Sequence, residues 1–145
     1  MVYGISRKLI FFILIFSNLS TALATEKIQP HIYSFNCETT AEKIDLIFFT
    51  CADGNTGIAK IKWKSWTSKG AEGTGLYYQN TCNPSCADGK FKYVSVSVKL
   101  SRPLFLHGNF YLTQLDYRQT KEPYTLSGSL DLYSLYKDMK SVSSN

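Results

Sequence analysis

Cys82 and Cys86 stand four positions apart around Asn83-Pro84, a spacing at which two thiols could act together. Two thiolates with an imidazole, here His107, would suit Cu(I) or Zn(II), and a thiol pair could also carry redox exchange. Both uses call for a particular setting. A thioredoxin-type redox motif has two intervening residues rather than three and sits near a βαβ pattern, which this chain does not show. The ordinary reading of the same residues is structural. Cys37, Cys51, Cys82 and Cys86 make an even set, and such a set in a small exported domain reads as disulfides.

Lys60, Lys62 and Lys64 alternate with Ile61 and Trp63, which places three ammonium groups on one face of one strand. That stripe would suit phosphate, an acidic glycan or nucleic acid, with Trp66, Tyr77 and Tyr78 available for stacking. It would equally serve as a solvated outer face, or keep an edge strand from pairing with another molecule. Trp63, Trp66, Tyr77, Tyr78, Phe110 and Tyr111 could line a sugar-binding groove, although aromatic residues also dominate small β cores. Asp53 to Gly57 lacks the alternating acidic ligands of a calcium loop and reads as a turn.

Catalytic signatures are missing. The two histidines, His31 and His107, rule out a site needing several imidazoles. Neither belongs to a G-x-S-x-G or H-E-x-x-H motif. Carboxylate pairs for glycoside hydrolysis depend on tertiary approach, and no local pattern announces one. The sequence therefore predicts binding rather than catalysis, with no cofactor.

The elements that position these residues follow from periodicity. Arg7 and Lys8, the apolar run Leu9 to Phe16 and the small residues of Ala22-Leu23-Ala24 form the pattern of a secretory signal peptide over residues 1–24. Eight apolar residues are too few for a spanning helix, which needs about 20. Residues 25–42 read as an N-terminal arm, 43–135 as a β domain and 136–145 as a C-terminal tail. Val94, Val96, Val98 and Leu100 alternate with serines and Lys99, the clearest half-buried strand. Ile44 to Phe49, apolar on both faces, predicts a central strand ending near Cys51. Ile58 to Trp66, Thr74 to Gln79, Tyr111 to Tyr117 and Tyr124 to Leu132 supply others. Leu132, Leu135, Tyr136 and Met139 have the spacing of a short C-terminal helix. Short strands without βαβ alternation predict an all-β sandwich or small barrel.

Cys-Ala-Asp-Gly occurs twice, at Cys51 to Gly54 and Cys86 to Gly89, each time before a strand. Two such turns would lie at corresponding strand ends. A bridge from Cys51 to Cys82 or Cys86 would close a loop of about 30 residues, worth roughly 3–4 kcal/mol. That pairing is expected, with Cys37 taking the remaining thiol.

The run Cys51-Ala52-Asp53-Gly54-Asn55, then Trp63-x-Ser65-Trp66, then Asn80-x-Cys82-x-Pro84-Ser85-Cys86-Ala87-x-Gly89 resembles a largely uncharacterised family of small exported bacterial proteins of actinobacterial type. The resemblance implies export and a β-rich domain, and brings no active site with it.

Charge completes the picture. Without Arg7 and Lys8, 14 basic residues face 11 acidic ones, a net charge of +3. Positive charge gathers mid-chain: Lys60 to Arg102 holds eight basic residues and two acidic ones. The expected protein is secreted or held in the periplasm or envelope, touching the membrane only through its leader. Its partner is an anionic envelope component or another exported protein.

Overall fold

The computed structural model describes residues 29–143, and the expected signal peptide lies outside the described residues. Among them the strands are, in chain order, β1 (Ile32–Asn36), β2 (Thr39–Ala41), β3 (Ile47–Phe48), β4 (Thr56–Thr67), β5 (Gly70–Asn80), β6 (Phe91–Leu106), β7 (Asn109–Gln119) and β8 (Ser127–Asp131), followed by helix α1 (Leu132–Ser143). They form one sheet in the order β2-β1-β7-β6-β5-β4-β3, and β8 joins β7 beyond the stretch that β1 occupies. Only the β1–β7 pair is parallel. The sheet curls into a half-barrel, so the expected all-β class and short C-terminal helix both hold.

The core follows from the strand period. Val96, Val98 and Leu100 of β6 are buried, while Ser95, Ser97 and Lys99 face water. Across from them lie Gly75, Gly73 and Ala71 on β5, and Leu115 opposes Leu100 on β7. Gly75 is small because a Cβ there would come within 2.8 Å of Ile58 Cγ2 and 3.1 Å of Ile61 Cγ1.

In β4 the inward residues are Ile58, Ile61, Trp63 and Trp66, a spacing that no regular strand produces. Pairing with β5 slips between Ala59 and Lys62, and again between Trp63 and Ser65. Each extra residue is a bulge that re-phases the faces, and Lys60 occupies the left-handed region with φ 53° at the first.

The segment read as an arm supplies β1 and β2. Ser34 and Phe35 of β1 are buried, and the Ser34 hydroxyl donates to Leu112 O at 2.9 Å. Helix α1 covers β1 through Tyr133 and Tyr136, whose rings lie 5.2 and 4.9 Å from Phe35. Its start is capped by Asp131, whose carboxylate accepts the Ser134 N–H at 3.0 Å and is held below the usual carboxylate range by that bond.

Two expectations are corrected. Ile44 to Phe49 is not a central strand: it contributes the two residues of β3, at the edge of the sheet. Its residues are apolar on both faces because they serve different places. Ile44 and Ile47 enter the core, and Phe49 joins the rings of Tyr77 and Tyr117. Beside the bulge at Lys60 no ladder is sustained, and the Ile61 N–H reaches Asp45 O at 2.9 Å.

The disulfide pairing is the second correction. Cys37 bonds Cys51 and Cys82 bonds Cys86. The two Cys-Ala-Asp-Gly turns do precede β4 and β6, which run the same way and so begin at the same end of the sheet. Between the turns, Asn80 donates to Asn55 Oδ1 at 2.9 Å and to Cys86 O at 2.8 Å. Loop length measures what a bridge does to the unfolded chain; proximity in the fold selects the partner. Cys37 lies in the β1–β2 turn, where the neighbouring Asn36 accepts the Phe48 N–H at 3.0 Å and draws the residues before Cys51 alongside.

Cys37–Cys51 therefore joins the two ends of the curled sheet. The Trp66 indole donates to Ile32 O at 2.8 Å across the same seam, and beside it the Trp63 indole donates to Ile44 O at 2.7 Å, in the segment that links β2 to β3. Side chains, rather than a continuous ladder, close this side of the half-barrel.

Candidate functional site

Opposite the core, the outer face of the sheet is built of cross-strand rows. Ser65, Glu72, Lys99, Asp116 and Ser129 stand side by side on β4 to β8. The next row is Lys62, Thr74, Ser97, Arg118 and Ser127. Beyond it come Ala59, Leu76 and Ser95, then Gly57, Tyr78 and Tyr93. Neighbours within a row are about 4.8 Å apart, and successive rows roughly 7 Å.

Open clefts follow these rows, among them three of about 790, 390 and 590 Å³. Thr74 lines the first and second, while Lys60 and Leu76 line the second and third, so together they make one trough. Its character changes along its length. The first part mixes Lys64, Lys99 and Arg118 with Glu72 and Asp116. There Lys99 lies 3.7 Å from Glu72, and the Ser129 hydroxyl donates to Asp116 at 2.6 Å, so the carboxylates are engaged. The middle gathers Lys60, Lys62 and Lys121 around Thr74, Ser95 and Thr120, with no carboxylate in its lining. The far end is apolar and aromatic, with Leu46, Tyr78, Phe91 and Tyr93.

The structure separates the residues that the sequence grouped. Lys60, Lys62 and Lys64 are all exposed along the trough, with Lys60 turned by its bulge. Tyr78 is on the outer face beneath Phe91 and Tyr93. Trp63, Trp66 and Tyr77 face inward: the tryptophans hold the seam, and Tyr77 stacks on Tyr117 at 5.7 Å. Phe110 pairs with Phe105 in the β6–β7 hairpin, and Tyr111 packs on Phe35. They line no common groove. Nor do Cys82, Cys86 and His107 converge, since the cysteines precede β6 and His107 lies in the turn after it. The sulfurs of Cys82 and Cys86 are bonded to each other.

Phe91, Tyr93 and Lys121 were not singled out by sequence reasoning. A signal for two of them was present. The alternation that puts Ser95, Ser97 and Lys99 on the outer face puts Phe91 and Tyr93 there as well, when carried back four residues. Lys121 is brought in by the turn after β7, where the Thr120 N–H donates to Ser95 O at 3.0 Å, and no local pattern encodes that.

Burial pushes the hydroxyls of Tyr77 and Tyr117 up from the ordinary tyrosine value, and those of Tyr78 too, with Tyr93 adding to the last. The unfolded chain then gives up these protons more readily than the folded one. Their contribution to stability is full below about pH 10 and is lost as pH rises through the folded values. In an absorbance titration at alkaline pH, three tyrosines are expected to ionise later than a model tyrosine. All the tyrosines titrating together would contradict this assignment.

Among the described residues no helix is long and apolar enough to cross a membrane. No family model, curated protein or solved structure matches the chain.

Proposed function

We propose that this protein is an exported, non-catalytic binding module that holds an extended anionic polymer of the cell envelope along the outer face of its sheet. The middle of the trough carries the reading: three lysines from two elements converge around three hydroxyls, and no carboxylate lines the same space. A solvated face with no ligand needs only scattered charge of both signs. From Tyr78 to Glu72 the trough follows β5 for six residues, about 20 Å, which suits a chain-like ligand better than a small ion. The leader pattern supports export, and two disulfides fit an oxidising compartment.

Changing Lys60, Lys62 and Lys121 to Gln tests the reading. At about 0.5 kcal/mol for each exposed charge, binding to immobilised polyphosphate in low-salt buffer is expected to weaken roughly tenfold. The melting temperature should hold, because all three side chains are exposed. Unchanged retention, or a large fall in melting temperature, would count against a binding role.

A further inference from the structure

We infer that the polymer is an acidic glycan, and that the aromatic end of the trough is a sugar platform: one ring of the glycan lies on Tyr93 and Phe91 while its acidic group meets Lys60. This rests on the anionic-polymer reading and adds the ligand's chemical class.

Phe91 and Tyr93 are 45% and 60% exposed, which is costly for rings that could have been turned inward or replaced by the serines that follow on the same face. They are also held in place. Their centroids lie 6.4 Å apart, and Tyr78 supports both from 5.8 and 6.5 Å while itself only 7% exposed. Tyr78 in turn lies over Gly57, where a Cβ would sit 2.8 Å from the tyrosine hydroxyl oxygen. The result is a fixed floor with two open rings above it. Aromatic side chains of this kind offer an apolar face to the C–H side of a sugar ring, and the tyrosine adds a polar tip.

Lys60 makes the platform selective for charge. Its left-handed bulge sets it where the aromatic cleft and the lysine-lined cleft meet, and it lines both. Past it the trough offers Thr74, Ser95 and Thr120. Hydroxyls donate and accept, as a polyhydroxylated ligand requires.

Single-stranded nucleic acid fits less well. Its binders set successive bases on successive aromatic rings along a strongly basic groove. Here aromatic rings occupy one end only, and the rows beyond hold Leu76, Thr74 and Ser97. A net charge of +3 without Arg7 and Lys8 of the leader is also modest for tracking phosphates.

The test titrates the protein with oligogalacturonate, inorganic polyphosphate and oligothymidylate of similar charge. In the double variant Phe91→Ser, Tyr93→Ser, oligogalacturonate affinity is expected to fall roughly tenfold or more while polyphosphate affinity changes less than about twofold. Lys60→Gln should weaken both ligands. Tyr93→Phe keeps the ring and should keep most of the glycan affinity, which guards against a folding defect in the double variant. Unchanged glycan affinity without the two rings would overturn the platform while leaving the anionic-polymer reading in place. Oligothymidylate binding tighter than the glycan, and lost with the rings, would assign the site to nucleic acid instead. If the unaltered protein takes up none of the three ligands, the anionic-polymer reading fails, and the sugar platform with it.

Discussion

With Cys37 and Cys51 both changed to serine, the free energy of unfolding is expected to fall by about 3 kcal/mol; the same change at Cys82 and Cys86 should remove about 2 kcal/mol. The difference comes first from loop length, since the bonded residues are 14 apart in one pair and four apart in the other. It comes also from position. Cys82–Cys86 staples a surface turn to itself, whereas Cys37–Cys51 fastens the β1–β2 turn to the segment that leads into β4. Losing it leaves that corner to the hydrogen bond of 3.0 Å from Phe48 N–H to Asn36 Oδ1 and to the tryptophan bonds farther along the seam. Urea unfolding of the two double variants, each with the other bridge intact, measures both values. Equal losses would mean that the first bridge has no special place in the fold.

The second large effect is expected at the tryptophans. Phenylalanine at position 63 or 66 keeps a ring in the core but removes the indole N–H, so Ile44 O or Ile32 O is left without that donor. An unmet carbonyl in a partly buried site costs about 1–3 kcal/mol. The two rings touch edge to face at 5.0 Å and share the seam, so the effects are not expected to add. Hydrogen exchange should locate the damage, with amides of β1 and of the stretch Ile44 to Phe48 losing protection before those of β5 and β6. If the double variant instead loses less than about 1 kcal/mol, or exchanges uniformly, the indoles are not what closes the half-barrel.

How much of this the sequence disclosed depends on whether the deciding contact was local. The alternation from Val94 to Leu100 and the helical spacing from Leu132 to Met139 are local, and an element forms over each, although β6 extends beyond its pattern to Phe91 and Leu106. The Cys-Ala-Asp-Gly turns were legible too, although their two glycines are needed for different reasons. Gly54 takes φ 62°, while Gly89 is required because Asn80 Oδ1 occupies the space a Cβ would need. What escaped was tertiary. The two bulges in β4 let Ile58, Ile61, Trp63 and Trp66 all face inward, which a period of two forbids. For the same reason the tryptophans could be mistaken for a groove. The lysine stripe was visible at Lys60, Lys62 and Lys64, but its partner Lys121 arrives on the same face from the turn after β7, three strands away. The arm became β1 and β2 because its partner strand begins more than 70 residues later, at Asn109.

That last contact has a consequence for how the chain matures. Ile32, Tyr33 and Ser34 pair with Phe110, Tyr111 and Leu112, so the earliest of the described strands finds its seat only when one of the latest has been made. A pairing across so long a loop forms slowly, since the closure entropy must be met before the pairing rewards it. It also makes seating of the N-terminal strand a check on completeness. A product that stops short of Leu112 can oxidise Cys37 to Cys51, yet it has no groove for Ser34 and no helix to cover Phe35. Only a chain that includes both β7 and α1 buries Ser34 and Phe35 together.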